Sequence, residues 1–70
     1  MKRTPVSSTN LASVGYDGAS RVLEIQFRNG RVYEYYDVPR EVYEGVIGAP
    51  SPGEFFTSRI RGRFRFRQLP

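Results

Sequence analysis

Between Arg21 and Asp37 apolar and polar positions alternate in two runs, with Asn29-Gly30 between them. In the first run Leu23, Ile25 and Phe27 fall on one face and Val22, Glu24 and Gln26 on the other, which is the period of a half-buried strand. Asn-Gly is a strong hairpin signal. The second run holds Val32, Tyr33, Tyr35 and Tyr36. A two-residue loop would pair Phe27 with Val32 and send Tyr33 and Tyr35 to the polar face. A three-residue loop, Arg28-Asn29-Gly30 with Gly30 left-handed, pairs Ile25 with Tyr33 and Leu23 with Tyr35. A one-residue slip exchanges the faces, so the cleaner partition selects the three-residue loop.

Upstream, residues 1–10 are polar, contain Pro5, and read as an arm docked through Val6. Leu11–Asp17, with Leu11, Val14 and Tyr16, predicts a first strand, and Asp17-Gly18-Ala19-Ser20 a turn. Downstream, Pro39 suits the first position of a helix that stops at Gly48, with Val42, Tyr43, Val46 and Ile47 as its apolar stripe. Ser51-Pro52-Gly53-Glu54 has the pattern of a capping box opening a second helix. Phe55, Phe56 and Ile60 form the buried side of that helix, which is expected to consume Arg59 and Arg61 and to be capped by Gly62. A last strand, Arg63–Gln68, then points Phe64 and Phe66 inward and Arg63, Arg65 and Arg67 outward.

The expected fold class is α+β: a three-stranded antiparallel meander, two short helices on one face, and a C-terminal strand, in the order β-β-β-α-α-β. Residues 1–10 would be the arm and 11–70 a single domain. The expected core is Leu23, Ile25, Phe27, Tyr35 and Phe64 from strands, with Val42, Val46, Phe55, Phe56 and Ile60 from helices.

Composition narrows the chemistry. At 70 residues the chain makes one domain at most and buries only about 60% of the surface its unfolded form exposes. It has no cysteine and no histidine. That removes disulfides, the usual Cys/His zinc sites, thiol nucleophiles and histidine triads. Seven carboxylates remain, but a chain this short has little room for a deep cleft around a pair of them. The expectation is a non-enzymatic protein with no cofactor and no metal. Met1-Lys2-Arg3 is followed by a polar stretch rather than an apolar one, and no run approaches the ~20 apolar residues of a membrane span. A soluble, cytoplasmic protein without a membrane partner is therefore expected.

The charge is local. The formal net charge is +4, yet residues 59–70 carry five arginines and no acid, so the preceding residues sum to −1. Arg59, Arg61, Arg63, Arg65 and Arg67 form a patch of the sign that phosphate binding requires, and arginine's planar fork suits phosphates and base planes. Against this stands the reading of a solvated strand face whose arginines blunt a sheet edge or pair with Glu24 and Glu34. Tyr33 and Tyr35 have two readings as well. They are core if the three-residue loop holds, or base-stacking aromatics of the kind RNA-binding sheets display. Tyr36 lies on the opposite face and is the exposed aromatic candidate. No Gly-rich phosphate loop is present.

One resemblance spans nearly the whole chain. Ser8…Asn10-Leu11, Val14-Gly15-Tyr16-Asp17, Leu23-Glu24-Ile25…Phe27, Gly30, Tyr33-Glu34-Tyr35 and Val38-Pro39 follow in order, then Val42-Tyr43, Ala49, Ser51…Gly53 and Ile60-Arg61. In this order they resemble a KTSC domain, a short module similar to the carboxy-terminal extension of some bacterial lysyl-tRNA synthetases and also found as free-standing proteins. Thr57 departs from the pattern, where asparagine is expected. The synthetase context implies an RNA-binding role, and no catalytic residue carries over. The resulting expectation is a nucleic-acid-binding module, RNA ahead of DNA, working through the arginine patch. The alternative is a protein-interaction module that pairs through an open sheet edge or meets an acidic partner with its arginines.

Overall fold

The computed structural model describes residues 1–70. Five strands, β1 (Arg3–Pro5), β2 (Leu11–Asp17), β3 (Val22–Phe27), β4 (Val32–Tyr35) and β5 (Phe66–Leu69), form one antiparallel sheet in sequential order. Two helices, α1 (Arg40–Gly48) and α2 (Pro52–Arg59), lie between β4 and β5 in sequence. The α+β class and the meander follow the sequence pattern. The N-terminal arm does not stay an arm. Residues 3–5 pair with β2, Arg3 opposite Gly15 and Pro5 opposite Ser13. Proline lacks a donor but is tolerated on an edge strand, which is where Pro5 sits.

The hairpin register is the three-residue one: Ile25 faces Tyr33 and Leu23 faces Tyr35. Gly30 takes φ +90, its N–H donates to the Phe27 carbonyl, and the Asn29 side chain accepts from the Arg31 N–H. Directly opposed residues share a face. One face therefore carries Val14, Tyr16, Leu23, Ile25, Tyr33 and Tyr35, and the other Gly15, Glu24, Gln26 and Glu34.

The helices bury the first of these faces. Leu11, Val14, Leu23, Ile25, Val46 and Ile60 are fully enclosed, with Tyr35 nearly so. Val38, in the link between β4 and α1, is equally enclosed, and its N–H donates to the Arg21 carbonyl. The phenylalanines expected in the core, Phe27, Phe55, Phe56 and Phe64, pack against it half-buried, as does Val42. Ser51 accepts from the Glu54 N–H with Pro52 at the first helical position, as the cap motif predicts. Pro39 is instead the residue before α1. Gly45 of α1 gives room to the Phe55 ring of α2, which occupies the space a β-carbon would take.

Two expectations at the C-terminus are corrected. α2 ends at Arg59, and Arg61 lies in the turn after it, where its N–H shares the Phe56 carbonyl with that of Ile60. The last strand begins at Phe66 rather than Arg63. Phe66 faces the helix side opposite Tyr35 but is 57% exposed, because β5 is the outer strand and the core centres on β2–β4.

Candidate nucleic-acid interface

The fold divides the five C-terminal arginines into two groups. Arg65 and Arg67 are engaged by acids. Arg65 reaches Asp37 at 3.2 Å and Arg67 reaches Glu34 at 3.6 Å. Arg67 stands opposite Glu34 in register, so this pair follows from strand alignment. Arg59, Arg61 and Arg63 have no acidic partner. Arg59 lies over the Phe55 ring at 5.7 Å, and Arg63 donates through Nε to the Ser58 carbonyl. Arg61 faces a cleft beside Phe56 and Gly62.

The uncovered face of the sheet is consequently close to neutral. A row crosses all five strands: Arg3, Gly15, Glu24, Glu34, Arg67. Two glutamates directly opposed would repel. Each has an arginine beside it, Arg3 on Glu24 and Arg67 on Glu34. Tyr36 is also occupied: its hydroxyl donates to Glu34 Oε1 at 3.1 Å, and the Arg65 guanidinium sits over its ring at 5.7 Å. Neither Tyr36 nor the Arg65–Arg67 side thus presents a free cationic or aromatic platform.

The helix-side end of the sheet is different. A groove of about 310 Å³ opens between the β3–β4 hairpin, the end of α2 and the start of β5. Aromatic rings form its floor. Phe27 meets Tyr33 and Phe56 edge-on at 5.5 and 5.3 Å, and Phe66 lies 5.8 Å from both Tyr33 and Tyr35. Such edge-to-face and offset contacts let rings pack while leaving one flank open. Arg31 and Arg61 stand at the rim with Asn29. A second cleft, lined by Arg28, Asn10, Thr9 and Thr57, shares Phe27, Asn29, Phe56 and Arg61 with the first. No carboxylate lines either cleft. Burial pushes the Tyr35 phenol up to about 12, with Tyr33 adding to the effect and the positive charge of Arg61 opposing it.

Tyr33 and Tyr35 therefore sit on the helix-side face, as the register predicts, Tyr35 in the core and Tyr33 at the groove. Of the arginines singled out from the sequence, Arg61 alone enters this groove. The alternation and charge pattern of the sequence do not mark Arg28, Asn29, Arg31, Phe56 or Phe66 as site residues. The hairpin register places Phe27 and Tyr33 together. That α2 brings Phe56 and Arg61 to the same place is a matter of tertiary packing, which no spacing in the chain encodes.

The KTSC domain profile matches residues 7–64. A protein of Tsukamurella paurometabola is 39% identical over 61 residues, 87% of this chain and 91% of that one. A lysine–tRNA ligase of Nostoc punctiforme is 44% identical over 54 residues, 77% of this chain and 10% of that enzyme. The crystal structure of a KTSC domain protein from Yersinia pestis superposes with a TM-score of 0.94 at 43% identity, covering 99% of this chain and 97% of that one. The chain belongs to the KTSC domain family.

Proposed function

We propose that this protein is a non-enzymatic module that binds single-stranded nucleic acid, RNA ahead of DNA. The observation that carries the reading is the pair of adjoining clefts rimmed by Arg28, Arg31 and Arg61 with no carboxylate in either. Unneutralised guanidiniums around a concave surface hold phosphates and release their counterions. Arg59 and Arg63 make no ion pair but share a separate cleft with Glu41, so they are left out of the proposed interface. The similarity to part of a lysine–tRNA ligase supports RNA over DNA, since that enzyme's name places its work on tRNA.

The test is salt dependence of binding to a single-stranded RNA oligomer. Three phosphate contacts correspond to a log–log slope of about −2, at about −0.7 per contact on single strands. Replacing Arg28, Arg31 and Arg61 together by glutamine should weaken binding to all sequences and flatten the slope. Replacing Arg65 and Arg67 should change little. Equal binding by the wild type and the Arg28/Arg31/Arg61 variant at low salt overturns the reading.

A second reading has one specific observation behind it. The outer edge of β5 is unpaired, since β5 ends the sheet. An open edge next to the exposed Phe66 could accept a strand from a protein partner. An acidic peptide that displaces RNA from the arginine-rimmed clefts would not support it, whereas a partner strand that protects the β5 amides from exchange would.

A further inference from the structure

Phe66 is the one aromatic side chain that is mostly exposed, and it does not stand alone. Its ring is 5.8 Å from Tyr33 and tilted by 52°, and it lies the same distance from Tyr35. One flank of this cluster is thus packed and the other faces the groove beneath Arg31 and Arg61. A scattered exposed phenylalanine is ordinary. An exposed ring continuous with a packed aromatic floor, open to a cleft and bordered by two guanidiniums without acids, is suited to a flat, anionically tethered ligand. The groove's volume of about 310 Å³ falls at the small end of ligand clefts.

We infer that this groove holds one unpaired nucleobase of a single-stranded RNA, stacked on Phe66 with its edge toward the tilted Tyr33 ring, with the adjoining phosphates on Arg31 and Arg61. The inference rests on the nucleic-acid reading above and assigns the point where the base is held. Charge complementarity selects this occupant over a plain hydrophobic segment, because the rim supplies cations and no acceptor charge. A base in a duplex presents no free face, so the strand must be single. Asn29 caps the Arg31 N–H through its side-chain oxygen, which leaves its amide N–H groups to donate to a base edge. Tyr33 keeps its ring orientation through a hydroxyl bond to Gln68 across the β4–β5 pair, at 3.3 Å. Phe56 and Phe27 complete the floor, so the ligand would meet rings already in place.

The experiment compares an oligoadenylate with an abasic ribose-phosphate oligomer of equal length and charge. The proteins are the wild type, Phe66→Ala and Phe66→Tyr. Phe66 is mostly exposed, so both variants should fold, which circular dichroism checks. The wild type should bind the oligoadenylate about 5- to 150-fold more tightly than the abasic strand, the range of one base on one aromatic. Phe66→Ala should remove most of that preference while binding the abasic strand as well as the wild type does, and Phe66→Tyr should restore it. Equal wild-type affinity for both oligomers overturns the inference and leaves the nucleic-acid reading standing, because phosphates alone then account for binding. A base preference that survives in Phe66→Ala also overturns it, by placing the stacking elsewhere. Failure to bind either oligomer removes the underlying reading as well. Movement of the Phe66 ring resonances with an acidic peptide or with protein concentration, and not with RNA, assigns the groove to a protein partner or to a second copy and overturns the inference.

Discussion

Arg3 reaches across Gly15 to place its guanidinium on Glu24, two strands away. The path exists because Gly15 has no side chain: a β-carbon there would lie 2.8 Å from the Lys2 carbonyl and 3.1 Å from Arg3 Cγ. Glu24 is only 8% exposed and faces Glu34, so Arg3 supplies the opposite charge beside it. A three-residue edge strand is thereby fastened to the centre of the sheet.

Removing Arg3 as Arg3→Ala should cost about 1.5–3 kcal/mol, the range for a lost hydrogen bond to a charged group. The loss should be smaller when Glu24 is also changed to glutamine. Gly15→Ala should destabilise by about 1–3 kcal/mol, since the neighbour it meets is backbone and β1 must shift. Denaturant unfolding of the single and double variants measures both. An Arg3→Ala midpoint equal to that of the wild type would show that the contact contributes nothing.

Gly45→Ala should also destabilise, although alanine favours a helix interior over glycine by about 1 kcal/mol. The Phe55 ring already fills the position of the new methyl group. Overpacking between α1 and α2 should outweigh the propensity gain by about 1–2 kcal/mol net. Adding Phe55→Leu should recover part of the loss, and thermal unfolding of the pair checks this.

Phe56→Ala should cost about 2–4 kcal/mol. The ring contacts Phe27 and Tyr35 edge-on, and it is half-buried rather than enclosed, so the loss falls below the maximum for a deleted core aromatic. In a 70-residue domain a loss of that size lowers the thermal midpoint by about 8–30 °C by the usual scaling, at about 4–8 °C per kcal/mol.

Alkaline titration should find the Tyr35 phenol ionising late. Its folded pKa is raised to about 12 from 10.0, chiefly by burial of the phenol. The neutral form is the one the fold favours. The stability it lends is complete below about pH 10 and is lost as pH rises from there through about 12, at up to about 1.4 kcal/mol per pH unit. Ultraviolet titration should show the late Tyr35 phenolate, and Tyr35→Phe should remove that transition and flatten the alkaline loss of stability.

Asp37→Asn should change stability by less than about 0.5 kcal/mol. Both Asp37 and Arg65 are largely exposed, and exposed ion pairs contribute little. Asp37 also takes φ +57, which asparagine tolerates as well as aspartate does. A loss above 1 kcal/mol in chemical denaturation would mean that the Arg65 contact holds the start of β5 in place.

The local pattern by itself determined the central hairpin, its three-residue loop, the cap of α2 and the partition of Leu23, Ile25 and Tyr35 from Glu24 and Glu34. These rest on period-two alternation and on single-residue backbone preferences, both of which act between close neighbours in sequence. Tertiary structure decided what the arginines do. Arg65 and Arg67 sit in an acid-free stretch of sequence, yet β5 docks beside β4, and that places Arg67 against Glu34 while Arg65 meets Asp37. Arg28 and Arg31 flank an ordinary turn, and they become the rim of a groove only when the end of α2 brings Phe56 and Arg61 beside it. The strand formed by residues 3–5 had no apolar alternation to announce it, because what holds it is a glycine gap and a charge on the third strand. Charge neutralisation and cleft formation depend on distances between segments far apart in the chain, and packing alone sets those distances.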